Sequence, residues 1–207
     1  VVAFPDNNVL DGVGDGYTGE SINNITVNRV YTGFMKMVKE ARLLDKDAQI
    51  LDPEDGETVL GNGNTNTTDG WTTNFGAIKI QPGQLIEYRI SYENISEKPP
   101  AGAAGNSVLV ANDFTIQEDG KAGTNNWATL MPGTTTPMTV HRQKTTASNG
   151  TIQYFNGSAL IGTSDPIDNF SVSRYDNIVG PVSPQGKGTF TFRRMVSNTA
   201  TGTDTLP

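Results

Sequence analysis

Apolar and polar residues alternate most cleanly after Pro82-Gly83. Ile86, Tyr88, Ile90 and Tyr92 fall on one side, and Glu87, Arg89, Ser91 and Glu93 on the other. Period-two alternation with β-branched and aromatic residues on one side predicts a half-buried strand. Pro82-Gly83 supplies its leading turn, because proline fixes φ and glycine tolerates positive φ. Strand patterns recur at 75–81, 85–95, 107–110, 114–117, 138–142, 151–155, 170–174 and 189–196. Turn clusters separate them, among them Glu118-Asp119-Gly120, Pro132-Gly133, Asn149-Gly150 and Asn156-Gly157. In the closing strand Phe190 and Phe192 oppose Thr189, Thr191 and Arg193, which makes it a fitting partner for the strand at 85. Short strands at this spacing predict an all-β, antiparallel sandwich.

The N-terminal third is less regular. Residues 1–20 read as an arm, an apolar start (Val1, Val2, Ala3, Phe4) followed by Asp, Asn and Gly. Residues 21–207 read as the β domain, with a strand at 22–31 that places Ile25, Val27 and Tyr31 together. Over 34–44, Phe34, Met37, Val38, Ala41 and Leu44 fit helical spacing. Met35, Met37, Ala41 and Leu43 fit strand spacing, with Lys39 the exception. Pattern alone favours helix slightly. Residues 45–73 form an acidic, then Gly/Asn/Thr-rich connection, part of which, 57–60, is expected to pair.

Composition narrows the classes. The 207 residues contain no cysteine, which excludes disulfides, thiolate zinc sites and cysteine nucleophiles. The net charge is −7 and no basic face stands out, against a nucleic-acid partner. No apolar run reaches the ~18 residues that a membrane-spanning helix needs. The first residues lack the basic start of a secretory leader, so an exported form is expected to be processed.

Pro82-Gly-Gln-Leu-Ile-Glu-Tyr-Arg-Ile-Ser-Tyr-Glu-Asn94, then 108–120, Asn125-Asn126-Trp127, 152–157 and the closing Gly188-Thr-Phe-Thr-Phe-Arg-Arg194 occur in order. Together they resemble a conserved repeat of unknown function from bacterial, notably cyanobacterial, surface proteins. The resemblance spans about 34–197 and is clearest over 75–197. It implies an immunoglobulin-like sandwich, an extracellular cell-surface location and a structural or adhesive role. It also sets 34–44 as strand, and it supplies no catalytic residues.

Candidate chemistry is sparse. His141 is the sole histidine and is expected at an exposed strand edge. Without a Gly-x-Ser-x-Gly elbow it has no triad to join. Asp6, Asp11, Asp15 and Glu20, in a Gly-bent loop, are the calcium candidate, although their spacing departs from the EF-hand pattern. The acids of 45–57 are a second, poorer one. Glu87 and Glu93 lie on the expected outer face, with no pocket for carboxylate-pair hydrolysis. Trp71 and Trp127 suit a core or a sugar platform. Lys39, Lys79 and Asn94 are possible members of a Lys–Asn isopeptide crosslink. Six Asn-x-Ser/Thr sequons occur, at Asn24, Asn66, Asn94, Asn149, Asn156 and Asn169.

The expected function is therefore non-enzymatic. The chain reads as a self-assembling subunit of an extracellular filament, sheath or surface layer, in which residues 1–4 add as a donor strand to a neighbouring copy. An adhesin binding surface glycans or proteins is the alternative.

Overall fold

The computed structural model describes residues 2–3, 26–27, 34–60, 69–74, 78–96, 109–122, 126–167 and 171–197. The chain divides into two compact units, Val1–Phe34 and Met35–Pro207; the sequence reading sets its arm boundary after residue 20. In the first unit β1 (Val2–Ala3) pairs antiparallel with β2 (Thr26–Val27), Val2 opposite Val27 and Ala3 opposite Thr26.

The second unit is antiparallel β throughout its paired strands. Its elements are β3 (Met35–Leu44), β4 (Ile50–Leu51), β5 (Leu85–Asn94), β6 (Ala111–Asp119), β7 (Thr139–Ala147), β8 (Thr151–Asn156), β9 (Ala159–Gly162), β10 (Arg174–Val182) and β11 (Lys187–Val196). A single 3-10 turn, Asn126–Ala128, lies between β6 and β7. Two sheets form, with orders β4-β3-β5-β11-β7 and β6-β10-β8-β9. The chain crosses between them after β5, β6, β7 and β10, and β11 inserts between β5 and β7. No helix among the described residues is long and apolar enough to cross a membrane.

The alternation read from the sequence sets the register. Phe190 lies opposite Ile90 and Phe192 opposite Tyr88, and Tyr88 stacks on Phe192 with ring centroids 4.9 Å apart. Ile86, Tyr88, Ile90, Tyr92, Phe190 and Phe192 are all buried. Across the interlayer space Phe192 meets Tyr175 of β10 at 4.6 Å and Trp127 at 5.8 Å. Tyr92 meets Phe114 of β6 at 5.3 Å. These contacts make a sandwich-like core between the two sheets.

Region 34–44 is strand, not the helix that its own pattern favours. Ten consecutive residues, Met35 to Leu44, pair with β5. Tertiary pairing here overrides local spacing. Within 45–73, Val59 bridges Leu51 and Thr72 bridges Ala41, so the expected pairing at 57–60 is present as an isolated bridge. The strand expected at 170–174 begins only at Arg174 and continues to Val182, and β9 was not foreseen. Of the strand expected at 75–81, residues 78–81 hold one bridge position, Lys79, and no extended strand. Asn94, one of the sequons, is fully buried.

The outer face of β5 is not simply solvated. Glu87 is only 5% exposed; it accepts from Arg42 and Arg193, each at 2.6 Å. Trp71 covers this face, with the guanidiniums of Arg42 and Arg89 4.5 and 4.1 Å from its ring centre. The sheet is thus covered on both sides here, by apolar packing within and by a carboxylate–arginine–indole layer without.

Ile90 is 3% exposed and sits at the centre of the β3–β5–β11 ladder. Ile90→Ala is expected to lower unfolding free energy by about 2–5 kcal/mol, the range for truncating a core aliphatic. Urea unfolding followed by circular dichroism measures it, and a loss below about 1 kcal/mol would mean that Ile90 is not core.

Candidate functional site

The most concentrated chemistry lies between the sheets, around residues of β7, β10 and β11. Arg194 follows Phe190 and Phe192 at the same parity, so its guanidinium points inward, and it has no exposed surface. Its Nε donates to Thr139 Oγ1 at 3.0 Å and its Nη2 to the Thr139 carbonyl at 2.6 Å. Nη1 donates to the Val172 carbonyl at 2.9 Å and to the Tyr175 hydroxyl at 3.0 Å. The Trp127 ring covers the guanidinium at 4.4 Å.

From Tyr175 the network continues to His141. Its Nδ1 is 2.9 Å from the Tyr175 hydroxyl. Its Nε2 lies 2.8 Å from Asp165 Oδ1 and 2.9 Å from the Pro166 carbonyl. Both partners of Nε2 are acceptors, so the proton sits on Nε2 and Nδ1 accepts from Tyr175. One direction of donation then runs from Arg194 through Tyr175 and His141 to Asp165.

Asp165 also holds backbone. Its Oδ2 accepts the N–H groups of Lys144 and Thr145 at 2.8 and 2.9 Å. Lys144 has φ of 99°, a conformation that L side chains rarely adopt. The carboxylate therefore fixes a strained irregularity in β7 and orients the histidine at once.

His141 is not the exposed edge residue expected from the sequence. β7 is an edge strand, but Asp165 and Pro166 close over the imidazole and leave it fully buried. Burial pushes its pKa below the ordinary value, while Asp165 pulls it back up and Arg194 pushes it further down. Burial likewise raises the phenols of Tyr154 and Tyr175. The chain of groups has a base, an acid and a phenol, but the base is already saturated by its neighbours. Its geometry is that of a tie between layers.

A second buried amide centre closes the end of β5. Asn94 Nδ2 donates to the carbonyls of Leu109 and Val182 at 2.7 and 2.8 Å. Its Oδ1 accepts the Ser96 N–H at 3.1 Å and the Ser96 hydroxyl at 2.5 Å. One side chain thus clasps the exit of β5, the approach to β6 and the end of β10. Every hydrogen-bonding group of its amide is engaged, which removes Asn94 from the crosslink candidates. Lys79 is exposed. Lys39 pairs with Glu118 of the other sheet at 2.6 Å.

The acids of 45–57 work as turn formers. Asp45 Oδ1 accepts the N–H groups of Asp47 and Gln49, and Asp52 Oδ1 accepts that of Glu54. Asp55 is held at a pKa of about 2 by the Thr58 hydroxyl and the N–H groups of Glu57 and Thr58. Among the described residues no group of three or more His, Asp or Glu could hold a metal ion. Asp6, Asp11, Asp15 and Glu20 lie outside the described residues, as do Val1 and Phe4 of the arm. Val2 and Ala3 are placed in β1.

A groove of about 460 Å³ lies on the outer face of the five-stranded sheet, lined by Lys36, Val38, Ser91, Glu93, Lys187 and Thr189 among others. Its side chains include one carboxylate and two ammonium groups, and none belongs to the His141 network. Trp127 is core, as the sequence suggested, and only 2% exposed. Trp71 is half-buried against its arginines. Arg194, Tyr175 and Asp165 were missed in the sequence. Arg194 alone carried a signal, since strict alternation from Phe190 places it inside.

Comparison with family models, curated proteins and solved structures finds no match.

Two predictions follow from the network. Tyr175→Phe leaves His141 Nδ1 without its donor and Arg194 Nη1 short of one acceptor. An expected loss of about 1–3 kcal/mol is measurable by chemical denaturation. The second concerns pH. Unfolded, His141 titrates near its ordinary value of about 6.5; folded, it titrates lower. Between those values the unfolded chain holds the extra proton, so stability is fully present above about 6.5 and falls as pH falls. Melting temperature is expected to drop between about pH 7 and pH 5, with a flatter slope in His141→Gln. An identical slope in that variant would remove His141 from the account.

Proposed function

We propose that this chain is a structural subunit of a bacterial cell surface, an immunoglobulin-like domain that assembles with copies of itself outside the cell. The observation that carries this reading is the unequal treatment of sheet edges. An edge strand presents unpaired N–H and C=O groups, and proteins blunt such edges by shortness, charge, irregularity or cover.

Three of the four edges of the larger unit are blunted in these ways. β4 has two residues and is capped by the Leu51–Val59 bridge. β7 carries the Lys144 irregularity, with two N–H groups taken by Asp165. β6 exposes Asn112, Asp113, Thr115 and Gln117, and Asp113 has φ of 54°. β9 differs. Its sequence is Ala159-Leu-Ile-Gly162, without charge or proline, and Leu160 and Ile161 are 55% and 40% exposed. It pairs with β8 on one side.

Such an edge suits strand addition, where backbone bonds supply affinity and side chains supply register. The donor in this reading is the arm at residues 1–4. In its own unit, the described residues of β1 pair with β2 at Val2–Val27 and Ala3–Thr26, and this pairing is the one that exchange would replace. Arm and β9 are different surfaces, so the contact is head-to-tail and propagates. The order of motifs resembling a surface-protein repeat supports the same reading, as do the crossings between sheets.

Deletion of residues 1–10 and the double substitution Leu160→Lys, Ile161→Lys test it. The full chain is expected to form polymers visible by negative-stain microscopy and sedimentation, and each variant to remain monomeric. A full-length chain that stays monomeric at high concentration, or a deletion that polymerises unchanged, overturns the proposal.

A further inference from the structure

Lys39, Glu118 and Asn177 are inward-facing polar residues outside both the His141 network and the Asn94 clasp. Lys39 shares the inner face of β3 with Ala41 and stands opposite Ile90. Its ammonium passes over the Tyr88 ring, 5.1 Å from the ring centre, and crosses to Glu118 Oε2 at 2.6 Å. Glu118 belongs to β6 in the other sheet, where it stands opposite Tyr175; its side chain is 9% exposed. Asn177 lies two residues along β10 from Tyr175, hence on the same inward face, between Ile116 and Ile152. Asn177 has no exposed surface, and neither Oδ1 nor Nδ2 has a hydrogen-bond partner.

A buried amide without partners is rare in a folded protein, because both of its groups lose water and gain nothing. Here the amide lies diagonally across the β6–β10 ladder from a carboxylate that already holds a lysine amine. Across an antiparallel pair, diagonal neighbours such as Glu118 and Asn177 are about 7–8 Å apart. A lysine stem, with its rotatable bonds, spans that step once its ammonium leaves the carboxylate.

We propose that Lys39 and Asn177 join in an intramolecular isopeptide bond, with Glu118 as the proton carrier. Glu118 takes a proton from the Lys39 ammonium, which frees the Nζ lone pair. Nζ attacks Cγ of Asn177, and the Nζ–Cγ bond forms as the carbonyl electrons move onto Oδ1. Collapse of this adduct breaks the Cγ–Nδ2 bond. Nδ2 leaves as ammonia, having gained the second Nζ proton through Glu118. The product is a neutral secondary amide, and Glu118 keeps one proton with which to hydrogen-bond it. Charge and atoms balance without any oxidant or cofactor.

The orphaned Nδ2 is thus the leaving group, and the secondary amide that replaces it has Glu118 as a partner. Asn94 is unsuited, since its amide is a fully engaged clasp and Met35, not Lys39, stands opposite it. The bond would tie β3 of one sheet to β10 of the other. That covalent crossing resists separation of the layers under pulling, whether or not copies of the chain assemble.

Intact-mass measurement of the denatured full chain is the test. The expected result is a mass lower than the sequence by one ammonia, with a protease fragment joining Lys39 to Asn177. Glu118→Ala and Asn177→Ala are each expected to restore the full mass and lower the melting temperature. Succinimides at Asn62-Gly63, Asn149-Gly150 or Asn156-Gly157 also lose ammonia, but they hydrolyse in mild alkali and do not depend on Glu118. The full sequence mass in folded wild-type protein overturns the proposal, as does an ammonia loss that persists in Asn177→Ala. Should a variant fail to fold, the wild-type fragment map decides alone: a joined Lys39–Asn177 fragment supports the bond, and separate fragments refute it.

Discussion

A guanidinium with no exposed surface sits between the two sheets, and the packing around it has to satisfy it. Arg194 brings a full charge into a space lined by Phe192, Trp127 and Tyr175. Burying an unpaired cation is costly in a low-dielectric interior. Its direct partners are neutral oxygens, on Thr139, Val172 and Tyr175. The opposite charge stands further off, on Asp165, reached through the Tyr175 hydroxyl and the His141 ring. This spacing explains why several elements must be correct together. β11 supplies the cation, β10 the phenol, β7 the imidazole and threonine, and the loop after β9 the carboxylate.

The 3-10 turn serves the same centre. It places Trp127 over the guanidinium, and Thr139 Oγ1 donates back to the Trp127 carbonyl at 2.6 Å. Gly120 makes room for the indole: a Cβ there would run into the Trp127 ring. The glycine of Glu118-Asp119-Gly120 is therefore required by packing against the indole. Core aromatics and polar network form one assembly, in which Tyr175 touches Phe190, Phe192, Trp127 and Tyr154 with its ring and both Arg194 and His141 with its hydroxyl.

The sequence made part of this legible. Alternation in 85–94 and 187–196 predicted β5, β11, their pairing and six core residues, because one face of each strand is buried against aromatics. It did not predict burial of Glu87, since alternation says which side a residue takes and nothing about what covers that side. Region 34–44 carried both periods, and only the ladder with β5 decides between them. His141 read as exposed because its cover, Asp165-Pro166, is a loop about two dozen residues downstream, beyond the reach of any local pattern. The same holds for Asn177, whose significance depends on β6 and β3 lying beside it.

The two layers outside and inside β5 differ in kind, and the difference bears on how the sheet resists distortion. Outside, Glu87 holds Arg42 of β3 and Arg193 of β11, so one carboxylate spans three adjacent strands. Arg89 repeats the theme with Glu40 at 2.9 Å. These bonds run across the sheet and oppose slippage of one strand along the next, because a shift of register would part each carboxylate from its arginines. Inside, the Arg194 relay and the Lys39–Glu118 pair run from sheet to sheet and oppose separation of the layers. Apolar burial alone fixes neither direction, since aromatic faces tolerate sliding far better than hydrogen bonds of fixed length. The polar groups set position in two perpendicular directions, and the aromatic core between them supplies most of the attraction.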